Sequence, residues 1–78
     1  MELRPDYRDA RWLAAAAVDR QLVRAGKPQK YGTQFRLVAG RWELHPVDPA
    51  TTDVERAGWG VPPLAEAVSQ AARLNATR

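Results

Sequence analysis

The chain has 78 residues, 45% of them hydrophobic, so it lies near the lower size limit for one independently stable core and is expected to form a single domain over residues 1–78. No cysteine is present, which excludes a disulfide framework and a thiolate metal site. The 12 basic and 9 acidic side chains give a formal charge of +3, an excess too small to indicate nucleic-acid binding by itself.

The first predicted element is an amphipathic helix from about Tyr7 or Arg8 to Ala25. Asp6 is a favourable N-cap residue, and Gly26 is a natural residue to follow the last turn. The spacing of apolar residues predicts one packing stripe, with Asp19 and the arginines mostly off it. The stripe consists of Leu13, Ala14, Ala17, Val18, Gln21, Leu22 and Ala25.

A β-hairpin is predicted over about Thr33–Val38 and Arg41–Pro46, with a two-residue turn at Ala39-Gly40. This register places Arg36 opposite Glu43, and a slip by one residue would separate the two charges. It also gives the hairpin one apolar face, formed by Phe35, Leu37, Trp42 and Leu44. Alanine is not ideal at the first position of a type I′ turn.

Two helical segments follow the hairpin. Thr52 and Glu55 match a capping box, which predicts a short helix from Asp53 to Ala57 that stops at Gly58. A C-terminal helix is predicted from about Pro63 to Leu74. The fold class is therefore α+β: an N-terminal amphipathic helix, one antiparallel hairpin, a short helix and a C-terminal helix.

The predicted sheet has only two strands, which alone are marginally stable. Either the helices cover the apolar face of the hairpin, or a second chain extends the sheet. We expect a homo-oligomer or a complex with a larger protein partner. No apolar run approaches the roughly 20 residues of a membrane span, and the N-terminus lacks the pattern of a signal peptide. The expected location is the cytoplasm, away from any membrane.

The segment 29–34 (Gln29-Lys30-Tyr31-Gly32-Thr33-Gln34) is the densest polar stretch and lies just before the hairpin. Its hydroxyl and amide groups can orient a small polar or anionic ligand, and its glycine lets backbone approach closely. The residue types alone favour a structural role instead. In that role Tyr31 closes the edge of the core and the amides tie down an irregular loop.

The motif GKPQ-x-YGTQF spans Gly26 to Phe35. It is followed by Trp42, Pro46, Asp53, Arg56, Gly58 and the start of the Pro63-Leu64 helix. Together these residues resemble part of an uncharacterised bacterial family, the domain of unknown function 6624. The resemblance covers about residues 16–68 and corresponds to the C-terminal half of family members. It implies no activity. It does imply that one constellation forms the site: Gln29, Tyr31, Gly32, Thr33, Gln34, Asp53 and Arg56.

Family members carry a further N-terminal helical region with a His-containing segment, which this chain is expected to lack. If that region contributes catalytic groups, this chain either has lost the reaction or recruits the missing half from another chain. Within the constellation, Asp53 and Arg56 are neighbours at i, i+3. They form either a surface ion pair or a site in which Arg56 grips a carboxylate or phosphate bidentately beside Tyr31.

Other chemistry finds less support. His45 is the only histidine, which excludes a multi-His metal site within one chain and favours a strand-terminating role. The spacing of Asp48, Asp53 and Glu55 matches no calcium loop, so no metal or other cofactor is predicted.

The sequence therefore predicts a small binding or accessory module that recognises a small polar or anionic ligand, or a protein partner, around Tyr31-Gly32-Thr33-Gln34. One alternative is a small hydrolase- or transferase-like enzyme that uses the same constellation, with no catalytic residue assigned. Another is a nucleic-acid-binding accessory protein with a basic stripe of Arg20, Arg24, Lys27, Lys30, Arg36 and Arg41. The last is not favoured, because Asp19 and Glu43 are placed to pair with several of these cations.

Overall fold

The computed structural model describes residues 10–76, which contain three helices and one hairpin. Helix α1 spans Ala10–Arg24, strands β1 and β2 span Phe35–Val38 and Arg41–Leu44, helix α2 spans Asp53–Gly58, and helix α3 spans Leu64–Ala76. The predicted α+β class and order of elements are confirmed. The predicted N-cap at Asp6 and the first residues of the N-terminal helix lie outside the described residues. None of the described helices is long and apolar enough to cross a membrane.

The hairpin has the predicted register, from Val38 opposite Arg41 to Phe35 opposite Leu44. The turn residues Ala39 and Gly40 have φ angles of 53° and 81°, so both occupy the left-handed region that a type I′ turn requires. The strands are shorter than predicted, because the amide N–H groups of residues 33 and 34 bond to side chains instead of a partner strand.

Helix α3 packs on β2 and covers its outer edge. The side-chain amide of Asn75 donates to the carbonyl of Trp42 at 2.8 Å and accepts from the N–H of Trp42 at 2.6 Å. An unpaired strand edge is a template for pairing with other chains. The side chain of Asn75 thus satisfies the outward-facing N–H and C=O of Trp42, as a third strand would.

Helix ends follow the predicted chemistry with one correction. Beyond α1, Gly26 and Lys27 donate to the carbonyls of Val23 and Leu22, which is the expected glycine-terminated geometry. The short helix was predicted to stop at Gly58, but it includes Gly58. It ends where Val61 donates to the carbonyl of Arg56 at 2.8 Å, which carries Val61 into the core.

Helix α1 docks by a different face from the one predicted. Leu13 and Val18, in the middle of the predicted stripe, are 53% and 41% exposed. The buried residues of α1 are Ala15, Ala16 and Asp19. The predicted stripe was therefore wrong as the packing face, because this face supplies a carboxylate that the neighbouring loop needs, and the two alanines let that loop approach closely.

Candidate functional site

Asp19 lies at the centre of the candidate site, on the docked face of α1, and is 0% exposed. Its Oδ1 accepts hydrogen bonds from the backbone N–H groups of Lys30 and Tyr31 at 2.8 and 2.9 Å. Its Oδ2 accepts from the N–H groups of Gly32 and Thr33 at 3.1 and 3.0 Å and from the Thr33 hydroxyl at 2.7 Å. One buried carboxylate thus receives five hydrogen bonds.

The segment 29–34 forms a concave array of backbone donors around that carboxylate. Successive N–H groups that converge on one point form an anion-binding nest, and here the anion belongs to the same chain. Gly32 has a φ of 105°, a conformation that side chains rarely adopt. The segment curves around Asp19 because a glycine stands at this position.

Arg56 approaches the segment from α2 and is 2% exposed. Its Nε donates to the carbonyl of Tyr31 at 2.7 Å, and its Nη1 donates to the carbonyl of Thr51 at 3.2 Å and to Asp53 Oδ1 at 2.9 Å. Asp53 also accepts from the N–H of Leu64 at 3.0 Å, so it joins α2 to the start of α3. Arg56 is therefore a buried anchor, and its pair with Asp53 is not a simple surface ion pair.

Asp19 and Arg56 act on the two ends of one peptide group. The carbonyl that accepts from Arg56 and the N–H that donates to Asp19 both belong to the peptide between Tyr31 and Gly32. A buried charge is costly unless it is paired or hydrogen-bonded. This peptide dipole lies between a buried cation and a buried anion and is favourably oriented toward both.

Gln29 connects the segment to the open end of the hairpin and is 0% exposed. Its side-chain NH₂ donates to the carbonyls of Gln34 and His45 at 2.9 and 2.8 Å, and its Oε1 accepts from the N–H of Gln34 at 2.9 Å. Its backbone forms a parallel bridge with Val47. Both side-chain donors of Gln29 are used inside the chain.

The structure brings the seven predicted site residues together but directs most of their polar atoms inward. The hydroxyl of Thr33 donates to Asp19 and accepts from Gln34 Nε2 at 3.0 Å. A bidentate grip by Arg56 is not open in this conformation, because Nε and Nη1 are both engaged. Within residues 10–76 its Nη2 is buried without a hydrogen-bond partner, as is Nδ1 of His45.

An aromatic and basic surface lies directly outside the segment. The rings of Tyr31 and Trp59 have centroids 5.7 Å apart and are tilted by 48°, and Lys30 Nζ lies 5.4 Å from the centroid of Tyr31. Trp59 remains 39% exposed. Arg11 donates to the carbonyl of Gly58, beside Trp59, at 3.4 Å. We call the indole of Trp59 and the ammonium of Lys30, which both lie near the buried ring of Tyr31, the Trp59 surface.

The charges are distributed differently from the sequence expectation. Asp19 was expected to pair with basic side chains, but its carboxylate is buried and, among residues 10–76, accepts its hydrogen bonds from the segment 30–33. Glu43 does pair with Arg36, at 2.6 Å. In the part of the chain that the structure describes, no group of three or more metal-ligating side chains comes together.

Asp19 is the site residue that the sequence reasoning missed. It follows Ala15 by four residues and Ala16 by three, so the three share one face of α1. The adjoining loop has consecutive amide N–H groups and no strand partner for them, and buried N–H groups need acceptors. An acid on an alanine-rich helix face next to such a loop is the signal that identifies this contact.

Comparison with known proteins gives one result. A model of a family described as "Family of unknown function (DUF6624)" matches residues 6–74, a longer span than the resemblance inferred from the motif. No curated protein and no solved structure shows a significant match to the chain.

Proposed function

This chain belongs to the DUF6624 family, whose function is unknown, and we propose that it is a small binding or accessory module that recognises a small anionic ligand at the Trp59 surface. The observation that carries the proposal is the contrast between the two sides of the segment 29–34. On its inner side, the segment bonds to Asp19 and Arg56, and the side chain of its own Gln29 is fully engaged. On its outer side, the indole of Trp59 and the ammonium group of Lys30 are exposed.

These outer groups suit a ligand that combines a negative charge with a flat ring. An exposed indole face attracts planar groups, and a lysine ammonium binds carboxylate or phosphate as a mobile point charge. Lys30 Nζ lies 3.6 Å from Glu55 Oε2, and the two side chains are 45% and 40% exposed. An exposed ion pair of this kind contributes about 0–1 kcal/mol, so a ligand anion can replace Glu55 at little cost.

The inner network supports binding because it fixes the groups that would touch the ligand. Ordering a loop during association lowers affinity, and a loop that is already fixed avoids this loss. The five hydrogen bonds of Asp19 hold Lys30 and Tyr31 by their backbone N–H groups. The base of the Trp59 surface is therefore rigid before any ligand arrives.

The test uses AMP, its uncharged counterpart adenosine, and inorganic phosphate. The indole N–H signals of Trp12, Trp42 and Trp59 report the location of binding in a ¹H–¹⁵N NMR titration. We expect AMP to shift the Trp59 signal and the Lys30 amide at lower concentrations than either adenosine or phosphate. A Lys30→Gln variant should lose the advantage of AMP over adenosine, whereas Lys27→Gln should keep it. Equal responses to AMP and adenosine, or shifts centred on Trp42, would contradict the proposal.

The enzyme hypothesis has less support in the geometry. Three side chains could serve as a base: Asp53 is engaged with Arg56 and Leu64, Tyr31 is 5% exposed, and Nδ1 of His45 is buried. A general base must reach the proton that it removes. The binding hypothesis therefore requires no change in the observed arrangement, whereas the enzyme hypothesis requires these side chains to move.

A further inference from the structure

Helix α1 has a second face, rich in small and apolar side chains, that is exposed within residues 10–76. Its outer face consists of residues that are all exposed: Ala10, Leu13, Ala14, Ala17, Val18 and Gln21. The opposite face, with Ala15, Ala16 and Asp19, is already buried against the segment 29–34. A helix that is apolar on both sides is typical of one that lies between two layers.

The shape of the outer face suits a helix. Ala10, Ala14 and Ala17 follow one another at spacings of four and three residues, so they line one side of α1. Side chains this small leave a shallow groove in which the ridge of another helix can lie, at interaxial distances near the lower end of about 8–10 Å. Leu13 and Val18 stand beside this groove and are 53% and 41% exposed.

Within residues 10–24, the charged side chains around the outer face are all basic. Arg11 borders it on one side and Arg20 on the other, and Arg24 lies on the face itself, at its C-terminal end. Asp19, the acid in the described length of α1, is buried and engaged. Neither Arg20 nor Arg24 forms an ion pair with a carboxylate of residues 10–76. A partner that covers this face therefore gains most by bringing carboxylates to its edges.

We propose that the outer face of α1 binds an amphipathic helix of another protein, with a small apolar face flanked by Asp and Glu. A second copy of this chain is disfavoured, because Asp19 is the acid in the described length of α1 and is buried, so this helix offers no exposed carboxylate to Arg20 and Arg24 of another copy. Nucleic acid is disfavoured, because a phosphate backbone would cover the apolar side chains without offering them an apolar surface to pack against. The proposal is independent of the Trp59 surface, which lies on other residues.

Two synthetic helical peptides with the same alanine–leucine face test the proposal, one flanked by Glu and one by Lys. In a ¹H–¹⁵N NMR titration of the whole chain, we expect the Glu peptide to shift the amides of the outer face and to bind at least about tenfold more tightly than the Lys peptide. Ala17→Glu should abolish this binding. Ala65→Glu, on the exposed side of α3, should leave it unchanged.

A charge reversal provides the decisive control. The double variant Arg20→Glu and Arg24→Glu should prefer the Lys peptide, and its circular dichroism spectrum should match that of the parent because both positions are exposed. Several outcomes would overturn the proposal: no binding of the Glu peptide, equal affinity for both peptides, or shifts mapped to another surface. So would a dimer in light scattering that Ala17→Glu disperses, or tighter binding of duplex DNA than of the Glu peptide at the same face.

Discussion

Asp19 carries a buried negative charge that is neutralised by dipoles and not by a cationic side chain. Four backbone N–H groups and one hydroxyl converge on its two oxygens. Hydrogen bonds to a charged acceptor are about twice as strong as neutral ones, and each buried donor left without its acceptor costs about 1–3 kcal/mol. A single side chain thus binds four consecutive residues of the segment 29–34.

The substitution Asp19→Asn keeps the size of the side chain but replaces one acceptor oxygen with an NH₂ donor. That donor would face two backbone N–H groups, so we expect a loss of on the order of 3 kcal/mol or more in the free energy of unfolding. Urea unfolding measures this loss. Thr33→Val removes the hydroxyl bond to Asp19 and the bond that the hydroxyl accepts from Gln34, and it should cost about 1–2 kcal/mol.

Arg20→Gln is the matched control for Asp19→Asn, because it changes the next residue of α1 at an exposed position. It should change the free energy of unfolding by less than about 0.5 kcal/mol. If Asp19→Asn were no more harmful than Arg20→Gln, the carboxylate would not hold the segment.

The sequence identified the segment 29–34 as special but did not identify what its residues contact. Side-chain amides and hydroxyls suggest a ligand as readily as they suggest internal bonds. The partners of Gln29 and Arg56 include backbone carbonyls, which every residue type has and which leave no trace in a sequence. The role of Asp19 was missed for the same reason.

At the scale of elements, the hairpin was predictable because its determinants are local. The charge pair of Arg36 and Glu43 and the alternation of apolar residues specify one register, and the structure has that register. The strand ends were not predictable, because Gln29 binds the N–H of Gln34 from outside the hairpin. The packing face of α1 was also missed. The apolar area favoured the side with Leu13 and Val18, whereas the hydrogen bonds of Asp19 required the opposite side to be buried.

The turn of the hairpin contains an avoidable strain. Ala39 is the one non-glycine residue with positive φ among those described, and its φ of 53° is unfavourable for alanine. We expect Ala39→Asn and Ala39→Gly to raise the free energy of unfolding by about 0.5–1 kcal/mol, because asparagine and glycine accept this conformation.

Thermal unfolding checks the effect of the turn substitutions. Gly40→Ala is the opposing control, since it adds a side chain where φ is 81°, and it should lower the midpoint. A lower midpoint for both substitutions of Ala39 would show that the strain is absent.

At the scale of the whole molecule, buried polar groups are nearly as prominent as buried apolar ones. The buried hydrophobic residues include four alanines together with Tyr31 and Val61. Asp19, Gln29, Thr51 and Arg56 are buried beside them. A domain of this size has little apolar core to stabilise it. Its buried hydrogen bonds therefore contribute much of what specifies the fold.

The expected homo-oligomer has a candidate contact surface at the outer edge of β1. Asn75 covers the outer edge of β2, but the N–H and C=O of Leu37 point away from β2 in this register, toward the outer edge of β1. Leu37 is also 53% exposed. We propose that copies of the chain associate at β1, where a second β1 extends the sheet.

Light scattering at several concentrations measures this association. Leu37→Asp should reduce the mass to that of one chain without changing the circular dichroism spectrum. Val54→Asp should leave the mass unchanged, because Val54 is equally apolar, 84% exposed and located on α2. A single-chain mass for the parent at every concentration would refute association at β1.

The contact between Asp19 and the loop has a consequence for the order in which the chain acquires its structure. Its hydrogen bonds join residues only 11 to 14 positions apart, whereas Arg56 reaches Tyr31 across 25 positions and Asn75 reaches Trp42 across 33. Short loops close at a lower entropic cost than long ones. During refolding, residues 10–34 can therefore make this contact before the second strand pairs with the first. The nascent hairpin then grows from a base that is already anchored to a helix.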